Sequence, residues 1–505
     1  MTVRELLQAL GRVTSPDRQP ELSAWGRALD MPCRGVTHDS RLVRSGWVFV
    51  ALRGLKADGV EFAAQAIDAG AAAVVAERAP APPSSVPWIV VTDARLALAW
   101  LAAEFFAHPS REMRVVGITG TNGKTTTSYL VRAIYEAAGI QCGVMGTVMY
   151  GIGDREVAAT RTTPEAPELQ GLMRQMADAG CGACVMEVSS HALALRRADA
   201  IEFAAGVFTN LTRDHLDFHS NMEEYFAAKR RLFEMLQPGA PAAVNIDDPR
   251  GAALVEATER PVTYAVNGAA DVTPGPLSVS LDGLEFTART PQGDIHVQSA
   301  LVGRPNVYNI LAAVTATAAL NVPRGAIERG VAALKAVPGR FERVSSPGDD
   351  VTVIVDYAHT DDALRNLLET ARPLARQRLV TVFGAGGDRD RTKRPLMGMV
   401  AARLSDVVVI TSDNPRTEDP QRIIDEINLG AQQETRQRGA DVLTIADRRE
   451  AIVYAVTHAS AGDLVLLAGK GHEKYQDIGG RLLPFDDVAV AREALEARRH
   501  RLRVG

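Results

Sequence analysis

Residues 114–139 read RVVGITGTNGKTTTSYLVRAIYEAAG, and their order decides the architecture of the middle of the chain. A β-branched run, Arg114 to Ile118, meets a glycine-rich turn, and a helical pattern begins at Thr125. Gly120 and Gly123 allow tight turning, Lys124 can neutralise anionic oxygens, and Thr125 can reach a magnesium ion. The helix N-terminus adds backbone N–H donors and a dipole that favours negative charge. Strand, glycine loop and helix in this order predict a phosphate-binding loop. The spacing departs from the common GxxxxGKS/T form, because Ile118 stands where that pattern has its first glycine.

Outward from this loop, 505 residues are enough for about three domains at roughly 150 residues each. Hydrophobic residues make up 46% and charged residues 23%, ordinary usage for a chain that buries several cores. Lys plus Arg total 56 against 61 Asp plus Glu, a net charge of -5. That balance argues against a general nucleic-acid coat or an anionic-membrane binder, so neither partner is expected. The start, MTVRELLQALGRV, carries Arg4 and Glu5 in an amphipathic pattern instead of a signal-peptide core, and a cytoplasmic location is expected. Four cysteines cannot frame a disulfide scaffold. Cys181 and Cys184 form a CxxC inside the apolar run CGACVMEV, which reads as a buried strand ahead of a redox or zinc site.

Three regions follow. Residues 1–110 mix short strands, such as 47–51 and 88–91, with Ala-rich helical stretches and a loop at 79–87. Residues 111–338 contain the glycine loop. In residues 339–505 the runs VTVIVD, LVTVFG, DVVVIT and DLVLLA alternate with helical patterns, the βαβ signature of a parallel sheet. The expected fold class is therefore α/β in three regions, with a strand–glycine loop–helix unit in the middle one and a parallel sheet in the last. Ligands of such sheets sit beyond the carboxyl ends of the strands, where DYAH, GAGGDRDR, SDNPR and GKGHE stand.

In the middle region the strand CVMEV carries Glu187 near its end, where a magnesium ligand belongs, and AAGVFTNL leads to His215. The helix 221–236, NMEEYFAAKRRLFEML, has an apolar face of Met222, Tyr225, Phe226, Leu232, Phe233 and Leu236. Lys229 lies on that face, whereas Arg230 and Arg231 are off its centre and can stay solvated. Lys229 is either a snorkelling lysine or one whose charge has been changed. An ammonium 4 Å from a divalent cation is repelled by roughly 8 kcal/mol at an effective dielectric of about 20. Carbamylation by carbon dioxide would turn it into an anionic oxygen donor.

THDSR (37–41), GTNGKTT (120–126), RTTPE (161–165), EVSSHAL (187–193), TNLTRDHLDFH (209–219) and YFAAKRRLF (225–233) are followed by GRPNVYN (303–309), DYAHT (356–360), GGDRDRTKRPLM (386–397), SDNPRTEDP (412–420) and GKGHE (469–473). Together they resemble the Mur ligase family, over essentially the entire chain and in the family's order. The resemblance implies an α/β fold of three domains: an N-terminal domain holding a UDP moiety, a central P-loop ATPase-like domain with a parallel or mixed sheet, and a C-terminal Rossmann-like domain binding an incoming amino acid. It implies ATP-dependent addition of meso-2,6-diaminopimelate to UDP-N-acetylmuramoyl-L-alanyl-D-glutamate through an acyl phosphate, in peptidoglycan precursor synthesis, by a monomer.

By the same resemblance Gly120, Thr121, Asn122, Gly123, Lys124, Thr125 and Thr126 hold the ATP phosphates, with Asn309, Arg340 and Asp356 also on the ATP side. Thr125, Glu187, His215 and carbamylated Lys229 organise Mg2+, and Lys124, Lys229, His215 and Glu187 form the catalytic group. Ser40, Leu55, Lys56 and Ala57 touch the UDP end, and Thr162, Thr163, Ser189 and Arg197 line the sugar peptide. Arg389, Asp413, Asn414, Pro415, Arg416, Gly469 and Glu473 receive diaminopimelate. The chain has Arg161 where the family often has Asn, and Leu195 where it often has Gln. The alternatives are a lysine-adding ligase of the same family, a folylpolyglutamate synthetase, and a P-loop ATPase that ligates nothing. SDNPR argues against the first and the N-terminal HDSR region against the second.

Overall fold

The run that ends at the glycine loop forms the strand Arg114–Thr119, inside an eight-stranded sheet. From one edge the order is Pro261–Tyr264, Ala242–Asn245, Phe203–Phe208, Arg114–Thr119, Ala183–Glu187, Cys142–Met145, Met149–Ile152 and Arg155–Ala158. The first six are parallel and the last two antiparallel. The central strands are apolar along their length because helices cover both faces. Helices Lys124–Ala137, Arg304–Ala319 and Arg324–Ala333 pack on one face through Leu130, Ile134, Ile310 and Val331. Helices Ala166–Asp178 and Met222–Glu234 pack on the other through Met173, Met176, Leu232 and Phe233. The register pairs Ile118 with Glu187 and Thr119 with Phe208, so three strand ends open side by side. The structure, a computed structural model, describes residues 1–12, 22–54, 57–81 and 83–504.

Near the N-terminus four short parallel strands, Gly35–Thr37, Trp47–Val50, Ala71–Ala76 and Trp88–Val90, form a sheet. The helix Ala94–Phe105, capped by Asp93, lies on it, and its small residues Ala97 and Ala102 permit close approach. Residues 352–468 build a second parallel sheet: Thr352–Asp356, Leu464–Ala468, Leu379–Phe383, Val407–Ile410 and Asp441–Thr444, with Glu342–Arg343 antiparallel at one edge. Leu464–Ala468 inserts between the first two strands in chain order, which opens a crevice at their carboxyl ends. Arg448 and Asp487, both fully buried, close a two-bond ion pair (2.8 and 2.6 Å), and Arg448 also donates to the Ala468 carbonyl at 3.0 Å. That clamp anchors the strand end immediately before Gly469.

Two elements were not foreseen from the pattern: a small antiparallel sheet spanning 273–299, and the hairpin Tyr475–Ile478 with Arg481–Pro484. Cys181 and Cys184 are buried free thiols, the latter within Ala183–Glu187, and burial pushes the Cys184 thiol up. Among the described residues no helix is long and apolar enough to cross a membrane.

Candidate active site

The glycine loop is closed in a way only glycine permits. Gly120 has φ 150°, and a Cβ there would lie 1.9 Å from Thr209 Oγ1; at Gly123, φ 88°, it would lie 2.3 Å from Asn309 Oδ1. Gly123 precedes helix Lys124–Ala137 without a side-chain cap, so the helix presents its first amides to the loop. Thr209 Oγ1 donates to the Asn122 carbonyl (2.6 Å), and the Asn122 N–H donates to Asn210 Oδ1 (2.9 Å). Thr121 Oγ1 is 3.1 Å from the Tyr225 hydroxyl, and Thr125 and Thr126 are buried. Lys124 Nζ donates to the carbonyls of Gly120 (2.9 Å) and Thr121 (2.8 Å). Burial lowers its pKa, opposed by Glu187 and Asp214.

Lys229 is 1% exposed, on the inward face that helical spacing predicts. Its Nζ donates to the Gly120 carbonyl at 2.7 Å and stands 4.5 Å from the Tyr225 ring centre. Burial first, and then the charge of Lys124, hold its pKa well below the ordinary lysine value. Arg230 pairs with Glu234 at the surface as expected of a solvated residue. The expectation for Arg231 needs correction, because it is only 27% exposed and pairs with the buried Asp199 at 2.7 Å. Asp199 comes from a loop 32 residues away, beyond the reach of helix periodicity.

Glu187 is 1% exposed and accepts from the Thr147 N–H (2.9 Å) and Oγ1 (3.0 Å). His215 has φ 55°, lies 4.8 Å from the His191 ring, and has Nε2 3.5 Å from Asp214 Oδ2. Burial lowers the His215 pKa to about 3 against the opposing Asp214 charge. Among the described residues no three His, Cys, Asp or Glu side chains stand together as a metal cage.

The C-terminal region reaches this loop directly. Arg340 Nη2 donates to Thr125 Oγ1 (3.2 Å), its guanidinium lies 4.5 Å over the Tyr357 ring, and its buried Nε has no partner. Asn122 Nδ2 donates to Asp362 Oδ2 at 3.1 Å. Asp356 accepts from the N–H groups of Phe341 (2.7 Å) and Ala358 (2.8 Å), and burial raises its pKa. Asn309 Nδ2 donates to Asn306 Oδ1 (2.9 Å), and a cavity of about 290 Å³ beside Arg340 is lined by Asn306, Lys335, Phe341 and Leu281. Sequence reasoning missed Tyr357 and Asp362, although both lie in or beside the DYAHT segment.

Toward the N-terminal sheet, Ser40 is buried and donates to Gln65 Oε1 at 3.0 Å. The Ala57 carbonyl accepts from the Gly54 N–H (2.9 Å), while Leu55 and Lys56 lie outside the described residues. Thr162 Oγ1 meets Thr147 Oγ1 (3.1 Å), and Thr163 Oγ1 donates to the Glu187 carbonyl (2.8 Å). Ser189 caps the helix Ser190–Ala194 through the Ala192 N–H. Arg197 donates to the Thr163 carbonyl (3.1 Å) and pairs with Glu165 (2.7 Å), leaving its buried Nε unpartnered. Glu165, missed from sequence, also binds Arg161 at 2.7 Å. Leu195 merely ends the short helix.

At the other crevice Asp413, Asn414 and Pro415 are buried beyond strand Val407–Ile410. Gly469, φ 113°, approaches so closely that a Cβ would lie 2.5 Å from Asp413 Oδ2. Asn414 Nδ2 donates to Glu473 Oε2 at 2.8 Å. Arg416 has φ 53°, held by its N–H on the Asp477 carbonyl (3.0 Å), and its Nη1 donates to the Gly387 carbonyl (2.6 Å). Arg389 is exposed on the same glycine turn. Among the described residues neither arginine pairs with a carboxylate.

Three patterns of one family match the chain in order: "Mur ligase family, catalytic domain" at 32–106, "Mur ligase middle domain" at 118–317, and "Mur ligase, glutamate ligase domain" at 339–471. A UDP-N-acetylmuramoyl-L-alanyl-D-glutamate--2,6-diaminopimelate ligase of Geobacter metallireducens is 47% identical, covering 97% of this chain and 99% of its own length. The ligase of the same name from Syntrophomonas wolfei is 46% identical over 93% of this chain and 96% of its own. A solved structure of that name superposes with a TM-score of 0.68 at 36% identity, covering 94% of this chain and 96% of the other. Matched by the family's patterns over most of its length and by relatives 46–47% identical over more than nine-tenths of it, the chain belongs to the Mur ligase family.

Proposed function

We propose that this chain adds meso-2,6-diaminopimelate to UDP-N-acetylmuramoyl-L-alanyl-D-glutamate at the expense of ATP, as a cytoplasmic monomer in peptidoglycan precursor synthesis. The observation that carries the reading is the likeness to ligases of that name over nearly the whole chain. In this reading residues 1–110 hold the UDP end, through Ser40, Leu55, Lys56 and Ala57, residues 111–338 bind ATP, and residues 339–505 bind the amino acid.

The glycine loop fits a polyphosphate, since Gly120 and Gly123 let it pack against Thr209 and Asn309 at the uncapped start of a helix, and Lys124 waits there bonded only to carbonyls. The donor set fits Mg2+, which takes one or two protein oxygens and completes its shell with phosphate and water. Thr125, Glu187 and His215 would hold it. Lys229 fits carbamylation, because a depressed pKa leaves the neutral amine that reacts with carbon dioxide, and a carbamate nitrogen keeps an N–H for Gly120.

ATP supplies the phosphoryl group that turns the D-glutamate γ-carboxylate into an acyl phosphate as ADP leaves, the amine then displaces phosphate, and Mg2+, when bound, would offset the phosphate charge. The chain's own work is positioning and charge neutralisation. Lys124 and the loop amides hold the phosphates, with Asn309, Arg340 and Asp356 on the nucleoside side. Thr162, Thr163, Ser189 and Arg197 line the peptide. Diaminopimelate differs from lysine by a second carboxylate at its far end, and Arg416 with Arg389 offers planar donors matched to it. Glu473 faces the distal ammonium, and Asp413, Asn414, Pro415 and Gly469 complete the pocket. Phosphate release measured with each substrate withheld in turn tests the reading: release should require both the UDP-muramoyl dipeptide and diaminopimelate. Turnover without either would indicate an ATPase that ligates nothing.

A further inference from the structure

We propose that Lys470 is a positioning residue of the amino-acid pocket, fixing the Asn414 amide and one Glu473 oxygen so that the other Glu473 oxygen is presented to a substrate ammonium. This rests on the reading above only in that the crevice around Gly469 takes the amino acid. Lys470 has no exposed surface, yet its ammonium is spent on pocket residues and on nothing of the scaffold. Nζ donates to Asn414 Oδ1 (3.0 Å) and Glu473 Oε2 (3.1 Å), and lies 3.8 Å from Asp413 Oδ1. It also stands 5.5 Å from the Tyr475 ring centre.

The two ends of an asparagine amide have nearly the same shape, so hydrogen bonds alone decide which way it faces. Oδ1 of Asn414 accepts from Lys470 and from the Asp477 N–H (2.9 Å), which leaves Nδ2 to donate to Glu473 Oε2 (2.8 Å). Glu473 Oε2 thus receives two donors, while among the described residues Oε1 receives none. One ammonium between the Asp413 and Glu473 carboxylates leaves the cluster a single negative charge, the complement of one bound ammonium. Removing Lys470 would set those carboxylates against each other and leave Asn414 Oδ1 with the Asp477 N–H alone.

The test is Lys470→Met in the full-length enzyme, with amino-acid saturation curves and calorimetric binding of diaminopimelate and of lysine. The KM and Kd for whichever amino acid the wild type uses should rise about tenfold to a hundredfold, as expected for lost charged hydrogen bonds. The kcat at saturation and the KM for ATP should change less than about threefold, and Lys470→Met with Glu473→Gln should be no worse than Glu473→Gln alone. A loss spread evenly over kcat and every KM, or full additivity in the double variant, would overturn the proposal. Should Lys470→Met not fold, Asn414→Asp serves in its place, since it sets a second oxygen against Glu473; an unchanged amino-acid KM there overturns it equally. A wild type that uses lysine alone refutes the substrate assignment but leaves this test intact, and one that binds neither amino acid overturns both.

Discussion

Lys229 and Lys470 are both buried, one on a helix over the glycine loop and the other just after a strand in the crevice around Gly469. Their surroundings are opposite. Lys229 meets a carbonyl and an aromatic ring, with Lys124 as a cationic neighbour. Lys470 meets Glu473 at 3.1 Å, with Asp413 behind it. Burial alone therefore does not assign a lysine its role. The first surroundings push the lysine toward its neutral, reactive form, whereas the second hold Nζ against two carboxylates.

The comparison can be broken most severely at the glycine loop that Lys229 bonds to. Lys124→Ala removes the fixed cation of the phosphate cradle and should lower kcat about a hundredfold to a thousandfold in steady-state assays. Near-normal turnover would mean that the cradle does not hold the transferred phosphoryl group. Lys229→Ala should be inactive to a similar or slightly smaller extent, and millimolar formate or acetate should restore part of the rate. An intact-mass spectrum of active enzyme without added carbon dioxide on Lys229 would count against the carbamate.

On the other side of the comparison, Arg416→Ala should cut kcat/KM for diaminopimelate on the order of a hundredfold, the worth of a two-bond guanidinium fork. Lysine use should fall far less. Equal losses with the two amino acids would mean that Arg416 does not read the distal carboxylate.

Stability sharpens the contrast further. The unfolded chain protonates Lys229 below about pH 10.4, while the folded chain holds it neutral until a much lower pH, so over that window the unfolded state binds the extra proton. Stability should accordingly rise with pH toward the unfolded value. In buffer free of carbon dioxide, Lys229→Met should melt a few degrees above wild type at neutral pH, with the gap closing near pH 10. A gap independent of pH would mean that the folded lysine is charged. Smallest of all, Arg161→Asn loosens a half-exposed pair with Glu165, which keeps Arg197. The KM for the UDP substrate should move about threefold or less.

What could be read in advance follows the distance over which each signal acts. Strand, loop and helix around Gly120 are contiguous, and the inward turn of Lys229 needs only helical spacing, so both were legible. That Lys229 bonds to Gly120, 109 residues away, was not, because it depends on two elements meeting across a sheet. Arg231 and Asp199 failed for the same reason. The small sheet at 273–299 did carry a local signal: Leu284, Phe286 and Ala288 are buried in alternation with their neighbours, as are Ile295, Val297 and Ser299. Nothing in SDNPR announces the positive φ of Arg416, which its hairpin partner Asp477 imposes from outside the motif.

The bonds from Arg340 to Thr125 and from Asn122 to Asp362 bear on the design of hybrid enzymes. Exchanging the C-terminal segment for that of a relative, to change which amino acid is accepted, also exchanges two of the braces of the phosphate loop. A graft begun beyond residue 362 keeps both braces native and carries Asp413, Arg416, Lys470 and Glu473 as one unit, but it separates strand Thr352–Asp356 from its partner Leu464–Ala468. A graft begun before Arg340 keeps that sheet whole and demands that the donor meet Thr125 and Asn122 correctly. The second junction is the sounder one, with those two contacts as the interface to repair.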